Sequence, residues 1–140
     1  VSALDSNFTG ARGEQMFADH FISERKFIAR PVHDLWGSDY CVEWGGELHK
    51  VNVKTMSRRK QAPDYYIVGL HKSNLSSGIR VYTEDQITYF GVVNLDESRI
   101  WMIPLSSVRG RKGIGYKGIG FQRRQKVRSD AFDWERYRIK

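Results

Sequence analysis

Asp39, Asn52 and Lys54 bring a carboxylate, a carboxamide and an ammonium into one short span, and Glu14 adds a second carboxylate upstream. Two chemistries are open to such a set. Carboxylate and carboxamide oxygens can hold a hard cation. Without a cation, two converging carboxylates repel each other. Lys54 would offset part of that charge, which describes a salt-bridged polar patch instead. The choice matters only if the chain folds so that the four side chains meet.

Three of them are placed by one stretch, GSDYCVEWGGELHKVNVKT from Gly37 to Thr55. It reads as two strands joined by Gly45 and Gly46, a dipeptide suited to the positive φ values of a two-residue hairpin turn. That turn sets the register: Trp44 opposite Glu47, Val42 opposite His49, and Asp39 opposite Asn52. Directly opposed residues share a face, with Cβ atoms about 5 Å apart. Lys54, two residues past Asn52, projects on the same face. Val51 and Val53 point the other way, toward a core.

Glu14 belongs to a helix expected from about Gly10 to Glu24, capped by Asn7 or Thr9 after a loose lead-in from Val1 to Phe8. Phe17, Ala18 and Phe21 form its apolar stripe, and Glu14 falls on that stripe. An unpaired charge buried there is costly. Two placements remain open: the rim of the first turn, near the positive end of the helix dipole, or a polar site at the helix start.

Further along, Lys26 to Val32 reads as a strand closed by Pro31, and MSRRKQAPD after Thr55 as a basic loop. DYYIVGL and ITYFGVV read as strands, with a helical turn over Tyr82 to Gln86. SRIWMIPL reads as another strand, ended by Pro104, and DAFDWERYRIK as a short helix that packs Phe132 and Trp134 back onto the body. One helix, a strand, a hairpin and further strands imply an α/β or α+β fold around one mixed sheet. A chain of 140 residues is expected to form one domain.

Charge points to the partner. The formal charge is +7, which favours a polyanion. The single Cys41 excludes an internal disulfide framework and fits a reducing, cytoplasmic setting. Cys41 is expected to be a packing residue in a strand. No long apolar run suggests a membrane. His20, His33, His49 and His71 lack metal-ligand spacing, and no zinc, Walker, Rossmann or nucleophile-elbow motif is present.

Together these residues resemble the PD-(D/E)XK nuclease superfamily. Glu14 in a first helix, Ser38-Asp39 at a strand start and Asn52-Val53-Lys54 on the next strand carry the resemblance. They are most similar to the compact form in the cyanobacterial group I intron homing endonuclease and archaeal Holliday junction resolvases. The VxVKT strand and the later YTEDQITYFGVVNLDESRIWMIPL, with its tyrosine, acidic turn and strand ending in proline, lean toward the intron enzymes. The resemblance spans about residues 10 to 108.

It implies a restriction-endonuclease-like core, a mixed central sheet flanked by helices, with residues 1–108 as nuclease-like core. Residues 109–140 lie outside the resemblance; their composition leads one to expect a basic, glycine-rich, DNA-contacting extension and C-terminal helix, part of the same domain. The resemblance also implies a Mg²⁺- or Mn²⁺-dependent DNA endonuclease that leaves a 5′-phosphate, with a site-specific homing enzyme as the leading form. Catalytic positions would be Glu14, Asp39, Asn52 and Lys54. Metal ligands would be Asp39, Asn52, the Val53 carbonyl and Glu14, directly or through water. Cutting both strands of double-stranded DNA takes two sites, hence a dimer or tetramer. One position departs: the family has Glu, or Gln in the intron enzymes, where this chain has Asn52. That leaves open an enzyme of weaker metal affinity, a disabled one, or a DNA-binding module on a nuclease fold. A Holliday junction resolvase is the other alternative.

Candidate DNA contacts come from charge alone. Arg58, Arg59 and Lys60 follow the Lys54 strand closely. The stretch GRKGIGYKGIGFQRRQKVR, with KGIGY from Lys112 and KGIGF from Lys117, mixes glycine, aromatic and basic residues. Its Arg111, Lys112, Lys117, Arg123 and Arg124 suit a nucleic-acid backbone, or else a solvated basic loop.

Overall fold

The computed structural model describes residues 3–32, 37–59, 65–72, 80–116 and 132–140. It opens with one long helix, α1 (Ala3–Ser23), which buries Phe17, Ala18 and Phe21 on one side. The helix starts well before the expected Gly10. Thr9 is not its cap; its hydroxyl donates to the Asp5 carbonyl one turn back, at 2.9 Å. A threonine satisfied in this way sits inside a helix, so the polar lead-in stays helical. Glu14 therefore lies mid-helix, and the first-turn rim placement is excluded.

The strands that follow are β1 (Ile28–Ala29), β2 (Tyr40–Trp44), β3 (Glu47–Thr55), β4 (Ser57–Arg59), β5 (Tyr65–Gly69), β6 (His71–Lys72), β7 (Arg80–Val81), β8 (Tyr89–Asn94), β9 (Arg99–Pro104) and β10 (Gly113–Tyr116). Five form the central sheet in the order β1-β2-β3-β8-β9. It is mixed, because β3 and β8 run parallel while its other pairs are antiparallel. The fold is α/β, with a mixed central sheet and a helix on it, as the sequence led one to expect.

The β2–β3 hairpin turns on Gly45 (φ 60) and Gly46 (φ 82), the two positive φ values its turn requires. Its register is Trp44↔Glu47, Val42↔His49 and Tyr40↔Val51. Asp39 continues the ladder, its N–H donating to the Val51 carbonyl at 2.8 Å.

Two apolar clusters cover the two faces of the sheet. Phe17 and Phe21 of α1 meet Val42, Val51, Val53, Val93 and Met102 on one face. On the other, Phe90, Val92, Trp101 and Ile103 pack with Val68, Ile114, Phe132 and Trp134. Close approach of the helix depends on two glycines. A Cβ at Gly13 would overlap the Thr55 hydroxyl, and one at Gly91 would overlap the Phe17 ring.

Several expectations need correction. Only Ile28 and Ala29 of the Lys26–Val32 segment form a strand. Part of the expected loop after Thr55 is β4, paired with β5 in a second sheet of order β10-β5-β4. The start of the basic extension is also structural. In β10, Ile114 and Tyr116 are buried and pair with Val68 and Tyr66 of β5. That alternation of glycine with an apolar residue is a period-two strand signal, hidden beneath the charge. Among the described residues 132–140, the C-terminal segment forms a 3-10 turn, Glu135–Tyr137, and Phe132 and Trp134 join the core. Trp101 is a core residue. Cys41 is half-buried on β2, a strand position as expected.

Candidate metal centre

Glu14, Asp39, Asn52, Val53 and Lys54 line one open cavity of about 710 Å³. Each arrives there for a local reason. The strand alternation that sends Val51 and Val53 into the helix-side core turns Asn52 and Lys54 the other way. Glu14 comes from the adjacent layer, because Gly13 lets α1 rest directly on Thr55 at the end of β3.

Asp39 is the hub. Its Oδ2 accepts a hydrogen bond from the Val53 N–H at 2.7 Å, so its carboxylate reaches past its cross-strand neighbour. Burial pushes its pKa up to about 6, against the pull of the Val53 N–H. The Glu14 carboxyl, hydrogen-bonded to it, pushes the same way, and Lys54 pulls it down. Two acidic groups in contact and partly withdrawn from water are a site that gains from a positive charge. Lys54 supplies part of it. Burial lowers the Lys54 pKa and Asp39 raises it, while its Nζ donates to the His71 carbonyl at 3.4 Å.

Asn52 supplies a second clue. Its Nδ2 donates to the Gly37 carbonyl at 2.7 Å. Its Oδ1 is buried and finds no hydrogen-bond partner among the described residues. A buried polar atom left unpaired costs about 1–3 kcal/mol, so it calls for an explanation. An oxygen without a donor, beside two abutting carboxyls, matches the hard, all-oxygen donor set that Mg²⁺ or Mn²⁺ takes. The residues present fit such an ion. Among the described residues no group of three or more His, Cys, Asp or Glu forms a metal cluster. A site of two carboxylates, a carboxamide and a backbone carbonyl lies outside that pattern.

The other sequence-derived positions are scattered. Arg58 lines the same cavity. Arg111 lines a separate one with Tyr82 and Leu70. The Lys112 carbonyl accepts from Leu70 N at 2.9 Å and contacts His71 Nδ1 at 3.2 Å. The Arg59 side chain and Lys60, Lys117, Arg123 and Arg124 lie outside the described residues.

Sequence reasoning missed three neighbours. The exposed Arg30 guanidinium donates to Tyr40 Oη at 2.9 Å, and Tyr40 Oη donates to the Glu14 carbonyl at 3.4 Å. The Tyr40 hydrogen bond, then the nearby Glu14 and Asp39 charges, raise the Arg30 pKa. The third is Tyr82, whose ring lies 5.3 Å from Lys54 Nζ. Arg30 and Tyr82 come from outside the hairpin, so no spacing rule could have found them.

No protein-family model matches the chain, and no curated protein matches it in sequence. Among solved structures, it is similar to a bacterial homing endonuclease, I-Ssp6803I, with a TM-score of 0.72 at 15% sequence identity. The superposition covers 94% of this chain and 87% of that one. At that identity the likeness shows the fold alone.

Proposed function

We propose that this protein is a metal-dependent DNA endonuclease of the PD-(D/E)XK type, with Asp39, Asn52 Oδ1 and the Val53 carbonyl holding Mg²⁺ or Mn²⁺. Glu14 would reach the ion directly or through a water. The observation that carries the reading is the convergence of Glu14, from the helix, on Asp39, the orphaned Asn52 Oδ1 and Lys54 at the hairpin. A salt-bridged patch would leave no reason to bury an unpaired amide oxygen.

Bound there, the ion would polarise the scissile phosphate and acidify a water. The Lys54 ammonium would hold that water and oppose the charge growing on the phosphorane. Asp39, whose pKa burial raises to about 6, would bind the ion more strongly once deprotonated. Arg58, on the same cavity, would contact the phosphate backbone and set the register of the duplex. Arg30, held at Tyr40 beside Glu14, is a further exposed guanidinium within reach of a phosphate.

Site-specific homing cleavage is the preferred form. It rests on the VKT strand, on the residues from Tyr82 to Pro104, and on the fold shared with a homing endonuclease. A homo-oligomer, dimer or tetramer, would supply the second active site for the second strand.

The test is to incubate the protein with supercoiled plasmid, linear DNA and a four-way junction, with Mg²⁺, Mn²⁺ or chelator. Metal-dependent cutting that disappears in Asp39→Ala supports the nuclease. Preference for the junction would replace homing by resolution. DNA binding without metal binding in any variant, including Asn52→Gln and Asn52→Glu, would leave a non-catalytic module.

A further inference from the structure

Arg30 is held in an unusual way for an exposed cation. Its guanidinium pairs with no carboxylate among the described residues. It donates instead to the Tyr40 hydroxyl, at 2.9 Å. Its central carbon also stands over the Tyr40 ring, 5.3 Å from the centroid, within the range of a cation–π contact. Both contacts go to one neutral side chain, so the guanidinium is fixed in place while its charge keeps no ion-pair partner.

Tyr40 is a rigid mount. It is buried, and its ring stacks on Phe17 of α1 with centroids 5.9 Å apart. Its hydroxyl accepts from Arg30 and donates to the Glu14 carbonyl at 3.4 Å, so both roles open to a phenol are engaged. Contacts therefore run from the guanidinium through Tyr40 to the backbone of Glu14, a proposed metal ligand. Arg30 and Lys54 are anchored on opposite faces of the sheet. Tyr40 packs in the helix-side cluster, whereas Lys54 lies against Tyr82, which packs on the other cluster. Lys54 and Arg58 line the cavity with Glu14 and Asp39, and Arg30 stands outside that lining. A phosphate held by Arg30 is thus a neighbour of the one at the metal position, not that phosphate itself.

We infer that Arg30 clamps the backbone phosphate next to the one to be cut, and that Tyr40 is the positioning residue that fixes this clamp relative to Glu14. The inference rests on the DNA reading proposed above. A guanidinium suits the task, because its planar fork can take two phosphate oxygens at once. Such a contact sets the register of the strand without reading a base.

The test measures binding of a labelled random-sequence duplex by fluorescence anisotropy over a salt series, first in chelator, so no cleavage target is needed. Arg30→Ala should weaken binding about fivefold and lower the slope of log affinity against log salt by about 1. Arg30→Lys keeps the charge and should keep the slope. Tyr40→Phe should weaken binding about twofold at unchanged slope, and add nothing in an Arg30→Ala background. The Arg30→Ala loss should be the same in Mn²⁺ as in chelator, because its phosphate is not the one the metal holds. Circular dichroism checks that each variant is folded.

Equal affinity and slope in Arg30→Ala and the parent overturn the inference and leave the DNA reading standing. A slope lowered equally in Arg30→Lys overturns it too, since a charge-independent loss means a structural tie. A Tyr40→Phe loss that persists in the Arg30→Ala background overturns the positioning role of Tyr40. An Arg30→Ala loss that changes severalfold on adding Mn²⁺ means a phosphate shared with the metal, and overturns the flanking assignment. A parent protein that does not bind the duplex overturns the DNA reading and this inference with it.

Discussion

Replacing Asp39 by asparagine should make the metal-free protein more stable at neutral pH while abolishing its function. The Asp39 carboxyl is carried from 3.8 to about 6, chiefly by burial and despite the Val53 N–H and Lys54. At about 1.4 kcal/mol per tenfold change, ionising it in the folded state costs on the order of 3 kcal/mol more than in the unfolded chain. Solvent reaches the half-buried site, so about 1–3 kcal/mol is the expected gain from a neutral isostere. Asparagine keeps the acceptor for the Val53 N–H. It mimics the protonated acid, so the lost attraction to Lys54 is already included in the pKa.

The direction with pH is fixed. A carboxyl with a raised folded-state pKa contributes stability that is fully present below about pH 3.8 and lost as pH rises through about 6. Urea unfolding followed by tryptophan fluorescence, in chelator, should therefore give matching midpoints for parent and Asp39→Asn near pH 4. At pH 8 the variant should be more stable. Saturating Mn²⁺ should then stabilise the parent alone, by mass action. A variant that is less stable than the parent at pH 8 in chelator would refute the reasoning.

Lys54→Met should leave DNA affinity within a few fold and reduce cleavage by about 10²–10³, the loss typical of one electrostatic stabiliser of the transition state; single-turnover cleavage against a binding isotherm separates the two. Arg58→Ala should weaken DNA binding across sequences and lower the slope of log affinity against log salt by about 1, read by fluorescence anisotropy. Gly91→Ala should destabilise the fold by about 1–3 kcal/mol, because its Cβ would meet the Phe17 ring; thermal unfolding checks it. Phe17→Ala, at a fully buried position, should cost about 3–5 kcal/mol.

What the sequence discloses depends on how local the determinant is. The Gly45-Gly46 turn fixes the β2–β3 register by itself, and that register puts Asp39 beside Asn52. Glu14 on an apolar stripe was anomalous enough to point into a site, and it does meet Asp39 there. The helix start is not legible because a side-chain hydroxyl signals a cap equally well when it bonds back inside a helix, as Thr9 does. The β10 strand was obscured because lysine, arginine and glycine dominate a stretch whose alternating Ile114 and Tyr116 are its structural content. Tyr82 and Arg30 were invisible as site residues. Tyr82 reaches the site through tertiary packing on Phe90, and Arg30 through a hydroxyl on Tyr40. Neither contact leaves a trace in spacing.

The most direct test of the metal centre is anomalous diffraction from crystals of the protein soaked in Mn²⁺. One strong peak is expected between Asp39, Asn52 Oδ1 and the Val53 carbonyl, at about 2.0–2.3 Å from these oxygens, and none in Asp39→Ala crystals. Lys54 Nζ reaching Asp39 with no peak at saturating Mn²⁺ would contradict it, and the cluster would then be a salt-bridged patch.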